Sequence, residues 1–395
     1  MLNSSGINFF GSSDTADGIG RAAALNLESI KNTHFNTQEF VLSRPVALER
    51  KSNLIITDDL LNSLKYKINC FQFSARWIPH YFAHLSPQIL DGYYNIGYWF
   101  CEVSDLPDQW ARQLHFFDEI WTASSFCQDS ISKVSNIPVT KIPLFIESRA
   151  ITKRIEGRLL GNKYETFRFC TVANMYSDAE RKNILFSIKC FLDVYEHDLS
   201  TEFVVKVSNL EYDDKLSAIL SKIAKTHSNV IVISEFVPQN EIEDLYNTID
   251  VYVSLHRAEG FGLTISDAIA RGIPTITTGY SGNMDFCNHD QVMLVDYKLV
   301  EVGHDRLRYK KNDLWAEPDM GSAIKWFKVA KSDYSNHLLR AKEARLFVRE
   351  NFSNNVVSNI IENRLELINN GFEFSNDFDS RDIEIDIGIK NTYGF

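Results

Sequence analysis

The sequence lacks a surplus of basic residues. The 395-residue chain has 41 Lys and Arg against 52 Asp and Glu, which gives a formal net charge of −11. Nucleic acids and anionic membranes bind to basic faces, so this balance argues against both as general partners, and we expect no nucleic-acid partner. Any anionic ligand must be held by a local basic cluster.

Long apolar runs and paired cysteines are also missing. No stretch approaches the about 18 apolar residues that would span a bilayer, and the opening MLNSSGINFF lacks the basic and apolar regions of a secretory signal. The six cysteines are scattered, without a C-x-x-C pair or a Cys/His cluster at zinc spacing. We therefore expect a cytoplasmic protein with reduced cysteines and no metal site.

Short β-type runs alternate with helical patterns in two series. The first series has predicted strands at 7–10, 39–43, 53–57, 68–73, 95–102, 119–124 and 139–146. The second has them at 167–174, 203–209, 230–236, 250–256, 274–279 and 292–297. This alternation is typical of parallel sheets with helices on both faces. We predict an α/β protein with two Rossmann-like domains facing each other across a central cleft, where ligands bind at the carboxyl ends of the strands.

A charged stretch and the C-terminal pattern set the predicted boundaries. The first domain covers 1–150, a linker 151–165 and the second domain 166–350; a helix at 351–370 is expected to cross back to the first domain. The last segment, 371–395, has six acids against two bases. Its DIEIDI alternation fits either an edge strand or a loosely attached tail, and we favour the tail.

The stretch 254–285 contains the most informative chemistry. Glu259 follows a predicted strand, and Asp267 lies eight residues further on, inside the next predicted helix. Gly260 and Gly262 allow a ligand to approach the backbone, and a helix N-terminus presents free N–H groups that suit a phosphate. Taken alone, this pattern also fits an ordinary strand-to-helix turn of any α/β protein.

Further motifs in chain order give the stretch a closer meaning. Glu259 and Asp267 have the spacing of an E-x7-E motif, followed by GIP and YSGNMDF at 280–286. The other matching motifs are NIGYWFCE at 95–102, DEIWTASSFCQDS at 118–130, RKN at 181–183 and WAEPD at 315–319. With these motifs the chain resembles the retaining glycosyltransferases of family 4, from about residue 7 to about residue 365.

The resemblance implies a GT-B fold and a hexosyltransferase. The donor would be a mannose- or glucose-type sugar linked to UDP or GDP, and the acceptor a glycan or a lipid-linked molecule in polysaccharide biosynthesis. It implies no cofactor besides this nucleotide-sugar co-substrate and no obligatory metal. It also allows peripheral association with the inner face of the membrane.

The resemblance assigns roles to the charged residues. Glu259 would contact hydroxyls of the donor sugar and Asp267 the ribose, because a carboxylate can accept bonds from two vicinal hydroxyls; Asp267 is one methylene shorter than the usual glutamate. Lys182 matches the lysine that faces the diphosphate. The family's preceding arginine is missing, so Arg181 or Arg257 would compensate. We place Arg181 and Lys182 at a helix start, where cations are otherwise disfavoured, which favours a phosphate role.

Several further residues complete the predicted site. Glu102 ends an apolar strand and is expected in the cleft, at the acceptor or reacting sugar; His80 is an alternative there. Lys206 interrupts an apolar strand and either snorkels outward or points into the cleft. His256 either lines the same cavity or is a satisfied structural histidine.

Glycine-containing loops provide the remaining candidates. The loop DGIGR places Gly18 and Gly20, with Arg21 beside them, near the donor phosphates in the resembling family. The turn with Ser281, Gly282 and Asn283 is suited to a phosphate or a sugar hydroxyl, or is an ordinary surface turn. Phe261 and Leu263 flank Gly262 and belong to the same predicted donor site.

Two other functions remain open. A catalytically weak module that binds sugar nucleotides or glycans is favoured by Asp267 and the absent arginine. A nicotinamide dehydrogenase would use the same folds, but neither half contains the full G-x-G-x-x-G fingerprint.

Overall fold

The structure is a computed structural model. It describes residues 3–13, 17–42, 63–84, 89–147, 156–157, 160–162, 166–175, 177–235, 237, 239–287, 290–305 and 309–371. The predicted strand at 53–57, most of the predicted linker and residues 372–395 of the predicted tail lie outside the described residues.

The first unit is built on a parallel sheet. Its strands are β1 (Asn3–Gly11), β2 (Asn36–Val41), β3 (Tyr66–Gln72), β4 (Tyr94–Trp99), β5 (Glu119–Thr122) and β6 (Val139–Lys141). The helices described in this unit are α1 (Gly18–Lys31), α2 (Ile78–His84), α3 (Asp108–Ala111) and α4 (Ser125–Ser132). The strand order is β2-β1-β3-β4-β5-β6. All residues of β4 are buried, as expected for a parallel strand covered on both faces.

A short antiparallel pair, β7 (Glu156–Gly157) and β8 (Gly161–Asn162), precedes the second unit. The second sheet contains β9 (Phe167–Asn174), β10 (Thr201–Ser208), β11 (Val230–Ile233), β12 (Val251–Ser254), β13 (Thr275–Thr278) and β14 (Met293–Val295). Its described helices are α5 (Ala179–Lys182), α6 (Ile184–Tyr195), α7 (Asp214–Thr226), α8 (Gln239–Thr248), α9 (Leu263–Ala270), α10 (Met320–Ser332) and α11 (Tyr334–Asn351). An antiparallel hairpin, β15 (Tyr297–Glu301) and β16 (Leu314–Pro318), was not among the predicted strands.

The second sheet has the strand order β11-β10-β9-β12-β13-β14 and is parallel throughout. This is the Rossmann order, in which the direction of strand addition reverses between β9 and β12. The predicted α/β architecture with two Rossmann-like sheets is thus confirmed. In such sheets the ligand crevice lies beyond the carboxyl ends of the strands at this switch point.

The last helix, α12 (Asn354–Gly371), packs against the first unit. Arg364 donates from Nη2 to Oε2 of the fully buried Glu119 at 2.7 Å. The same carboxylate accepts the Tyr94 hydroxyl at 2.9 Å and the Trp121 indole N–H at 3.0 Å. Side chains of β5 and α12 therefore join the end of the described chain to the first sheet.

Apolar packing also joins the two units. One cluster combines Trp99 and Trp110 of the first unit with Tyr309 and Trp315 of the hairpin region.

Among the described residues, no helix combines the length and apolar character needed to cross a membrane.

Candidate functional site

The loop between β12 and α9 lies at the switch point of the second sheet. Gly262, the N-cap residue of α9, has a φ of +97°, which a glycine adopts without the steric cost of a side chain. No side chain caps this helix N-terminus and its first turn has no acidic residue. Free N–H groups and the helix dipole are thus available to an anion at this point.

Four charged side chains form a continuous cluster beside this loop. Lys182 Nζ lies 2.6 Å from Glu259 Oε1, and Arg181 Nη1 lies 3.4 Å from Glu259 Oε2. Arg181 Nη2 lies 3.6 Å from Glu102 Oε1 of the first unit. The structure therefore brings together Glu259, Lys182 and Glu102, the three residues predicted to act in the chemistry, with Arg181 between the two carboxylates.

Arg181 is the most deeply buried of these four side chains. It is 3% exposed, and its Nη1 also donates to the Ala258 carbonyl at 2.5 Å. Its position thus holds Glu102 and Glu259 in relation to each other, and the expected contact with a diphosphate stays a prediction.

The expectation that Arg181 and Lys182 begin a helix is wrong. They end α5, which starts after its N-cap Asp178, and Asn183, with a φ of +55°, separates α5 from α6. Cations are favourable at a helix C-terminus. The position of Arg181 and Lys182 in the helix therefore gives no support to a phosphate role for them. The structural observation that still bears on this role is the contact of Lys182 with Glu259.

Charge pairing keeps Glu259 ionised. Burial by itself would raise the pKa of this carboxyl, but Lys182 and Arg181 lower it to about 2. Burial lowers the pKa of Lys182, although Glu259 opposes that change. At neutral pH Glu259 is consequently a hydrogen-bond acceptor, the form that can bind hydroxyl groups.

The turn after β13 supports the backbone of Glu259. Ser281 has a φ of +76°, and its Oγ accepts the Glu259 N–H at 2.8 Å. The Gly282 N–H donates to the Glu259 carbonyl at 2.9 Å, and a Cβ at Gly282 would lie 2.3 Å from the Gly260 oxygen. The turn is thus packed against the loop of Glu259, and its predicted phosphate or sugar contact stays a prediction.

His256 and Asn283 are fully buried behind this turn. His256 Nε2 lies 3.1 Å from Asn283 Oδ1 and 3.2 Å from the Tyr280 carbonyl, and Nδ1 lies 3.1 Å from Ser254 Oγ. Burial lowers the pKa of His256, so a neutral ring with the proton on Nε2 satisfies these partners. These contacts favour the structural role for His256.

The other predicted cations have protein partners. Arg257 Nε donates to Glu317 Oε2 of the WAEPD motif at 2.7 Å, and its Nη1 donates to the Glu180 carbonyl at 2.7 Å. Lys206 is fully buried, so it does not snorkel outward. Lys206 lies on β10, and its Nζ donates to the Glu235 carbonyl at 3.0 Å. It is therefore not part of the charged cluster around Glu259.

The first unit contacts the loop of Glu259 and the turn after β13 through residues that sequence reasoning gave no role. Ser124 Oγ donates to the Gly260 carbonyl at 2.7 Å, and a Cβ at Gly260 would lie 3.2 Å from Phe100. The Ser125 N–H and Lys141 Nζ lie 3.0 and 3.2 Å from Asp285 Oδ2. The available signal was the motif at 118–130, which indicated a family but not a contact.

The glycine loop of the first unit ends in an ion pair with the second. Asp17 caps α1 by accepting the N–H groups of Ile19 and Gly20 at 2.9 and 3.0 Å. Arg21 Nη1 and Nη2 lie 2.5 and 2.6 Å from the two carboxylate oxygens of Asp267. Asp267, the predicted ribose ligand, is therefore bonded to the opposite unit, while donor contacts of Gly18 and Gly20 stay predictions.

The remaining candidates have less direct evidence. Phe261 is buried against Phe286, with ring centroids 5.1 Å apart, and Leu263 packs against the same apolar cluster. The side chain of His80 lies outside the described residues. Within the described part of the chain, His34, Glu362 and Glu366 form a surface group that could hold a metal ion; none of them belongs to the predicted site.

Part of the chain matches a family model and two curated relatives. The family model described as Glycosyl transferases group 1 matches residues 178–310. A sucrose synthase of Melioribacter roseus is 26% identical over 119 residues, and Protein CapJ of Staphylococcus aureus is 21% identical over 196 residues. These matches cover 26% and 44% of this chain, but only 15% and 49% of the respective relatives.

A solved structure matches over a larger part of the chain. The crystal structure of Anabaena HepE in complex with UDP and glucose has a TM-score of 0.66 and 11% sequence identity. The match covers 91% of this chain and 99% of that chain. At this identity the likeness establishes the fold, which is GT-B.

Proposed function

We propose that this chain, which has the GT-B fold and whose residues 178–310 match the family model of the glycosyl transferases group 1, is a retaining hexosyltransferase. It transfers a glucose- or mannose-type sugar from a nucleotide-diphosphate donor to a glycan or lipid-linked acceptor in polysaccharide biosynthesis. The reaction requires no metal ion. The observation that supports this proposal best is the contact of Lys182 with Glu259 at the switch point of the second sheet.

The cluster provides complementary groups for such a donor. The Glu259 carboxylate accepts hydroxyls of the sugar, while Lys182 and the uncapped N-terminus of α9 stabilise negative charge on the departing diphosphate. The bond from the anomeric carbon to the diphosphate oxygen breaks, and the acceptor oxygen bonds to that carbon on the same face. The acceptor proton passes to the departing phosphate, so no protein nucleophile is required.

The donor is best sought among UDP-linked sugars. The HepE structure, which shares the fold, contains UDP and glucose, and its likeness to this chain is the reason for testing UDP first. GDP is the alternative nucleotide. Peripheral membrane association with a lipid-linked acceptor belongs to the same proposal.

A catalytically weak binding module is the second candidate. The supporting observation is that both oxygens of Asp267 are bonded to Arg21. A ribose must therefore compete for a carboxylate that is already satisfied. A donor that binds without this ribose contact would be poorly oriented for transfer, which gives binding with little turnover.

A two-stage assay tests these alternatives. Thermal shifts with UDP and GDP identify the nucleotide, and transfer and hydrolysis are then measured on a panel of labelled nucleotide sugars. Turnover that persists in EDTA, with the anomeric configuration of the donor retained in the product by NMR, supports the proposal. Binding without turnover on the whole panel would establish the binding module instead.

Substitution of Glu259 tests the site. Glu259→Gln keeps the shape of the side chain but removes the charge that faces Lys182, and we expect transfer to fall by at least about a hundredfold. Glu28→Gln, on the exposed face of α1, is the matched control and should retain the full rate. A Glu259→Gln variant with near-normal transfer would refute the assignment.

A further inference from the structure

Each of the two carboxylates that we assign to donor binding is bonded to a cation of the protein. Glu259 is paired with Lys182 at 2.6 Å, and Asp267 is paired with Arg21 through two contacts of 2.5 and 2.6 Å. The first pair lies within the second unit, whereas the second joins α1 of the first unit to α9. In the structure the groups expected to bind a donor thus bind one another.

Arg21 differs from the other cations near the site in its exposure. Its side chain is 36% exposed, whereas that of Arg181 is 3% exposed and that of Arg257 is 16% exposed. Asp267 is 13% exposed, so Arg21 is the member of this pair with more access to solvent and to a ligand. A guanidinium fork also fits a phosphate as well as it fits a carboxylate.

Asp267 has two arginines as neighbours. Arg271 Nη1 lies 3.7 Å from Asp267 Oδ1, so two arginines share one carboxylate. Arg271 itself is anchored, because Nη1 donates to the Asp267 carbonyl at 2.8 Å and its guanidinium lies over the ring of Tyr246 at 4.8 Å. Arg21 is therefore the member of this group that can leave while Asp267 keeps a positive neighbour.

We propose that Arg21 is a donor-binding residue that changes partner: ribose hydroxyls replace its guanidinium on Asp267, and Arg21 then binds the diphosphate of the same nucleotide. This inference rests on the proposed function and adds a donor-binding residue from the first unit to the proposed site. A nucleoside diphosphate carries both hydroxyl donors and phosphate acceptors, so every group of the broken pair regains a partner. A nucleoside carries the hydroxyls alone and offers Arg21 no phosphate.

This difference predicts effects of opposite sign for one substitution. In Arg21→Gln, Asp267 no longer has to be released, so uridine should bind several-fold more tightly than it binds the unmodified protein. UDP should bind more weakly, on the order of tenfold, because a charge-assisted hydrogen bond to the diphosphate is lost. Isothermal titration calorimetry of both ligands measures the two dissociation constants on the full chain.

Three further variants complete the design. Lys31→Gln removes a positive charge from the end of the same helix, where Lys31 pairs with Glu39 at 3.3 Å, and should change neither affinity. Asp267→Asn loses the charge and one acceptor oxygen of the proposed ribose site and should weaken both ligands. Arg21→Lys keeps the charge without the fork and provides an intermediate UDP affinity if Arg21→Gln does not fold.

The outcomes separate this inference from the proposed function. If the protein binds GDP and not UDP, the same comparison is made with GDP and guanosine. Tighter binding of both ligands to Arg21→Gln would mean that Arg21 only blocks the site, and weaker binding of both would mean that it only supports Asp267. Either result, or no change, overturns the exchange and leaves the proposed function intact. Failure of the unmodified protein to bind either nucleotide overturns both.

Discussion

Ser124 of the first unit donates its hydroxyl proton to the carbonyl oxygen of Gly260 in the second, at 2.7 Å. The same hydroxyl accepts the N–H of Cys127 at 3.2 Å and caps α4. Cys127 Sγ lies 3.2 Å from the same Gly260 oxygen. The loop that contains Glu259 is therefore positioned partly by the unit on the other side of the interface.

Ser124→Ala should reduce both stability and activity. The loss of the cap costs about 1 kcal/mol, and the buried Gly260 carbonyl loses its shorter hydrogen bond. We expect a lower melting temperature and a transfer rate reduced several-fold. Asp213→Ala is the matched control, because Asp213 caps α7 by accepting the Leu216 N–H at 2.9 Å. It should show the loss of stability alone; an equal loss of activity in both variants would contradict a positioning role for Ser124.

Gly282→Ala should disrupt the support of Glu259. The added Cβ would lie 2.3 Å from the Gly260 oxygen and 2.8 Å from the Glu259 oxygen, both of them backbone atoms that cannot rotate away. We expect destabilisation of more than about 2 kcal/mol in urea unfolding. At Gly18 an added Cβ meets nothing within 4 Å, so Gly18→Ala should leave the free energy of unfolding nearly unchanged. Equal stabilities of the two variants would disprove the close approach.

Local sequence patterns predicted the fold because they report on neighbouring residues. The alternation of strand and helix identified both sheets, and it also placed Glu259 in a loop and Asp267 in a helix. The break between α5 and α6 was missed because it depends on one residue. Asn183 adopts a positive φ, which asparagine tolerates more readily than most residues but does not require.

Contacts between distant residues could not be predicted from these patterns. Arg21 and Asp267 are 246 positions apart, and no periodicity links them. Burial of polar residues was equally inaccessible: Asn8, Asn69 and Asn95 lie on neighbouring strands and are fully buried. Their amides bond in series at 2.9 and 3.0 Å, so each satisfies the next only after the strands have paired.

Arg364→Met should weaken the attachment of α12 to the first unit. The substitution leaves the fully buried Glu119 carboxylate without its 2.7 Å cation partner, a loss that costs about 3 kcal/mol for a buried pair. Urea unfolding should show this loss, and Glu119→Gln in the same chain should restore part of it. Arg349→Met, at an exposed position of α11, should have little effect. Equal stabilities of the two methionine variants would mean that the ion pair contributes nothing to this attachment.

The lowered pKa of Glu259 predicts how its contribution to stability changes with pH. Folding lowers this pKa from an ordinary 4.5 to about 2, because Lys182 and Arg181 outweigh the effect of burial. The ionised carboxylate therefore stabilises the folded state fully above about pH 4.5, and the stabilisation is lost as the pH falls towards 2. Converted at 1.36 kcal/mol per pKa unit, the shift corresponds to an effect of about 3 kcal/mol.

Comparison with Glu259→Gln isolates this contribution. The difference in unfolding free energy between the unmodified chain and the variant should be constant from pH 7 to 5 and should shrink as the pH falls from about 4.5 to 3. Urea unfolding at each pH measures the difference, and Glu28→Gln corrects for the general loss of a negative charge. A difference that stays constant to pH 3 would mean that Glu259 is not held in its ionised form by Lys182 and Arg181, and the electrostatic basis of the proposed donor site would fail with it.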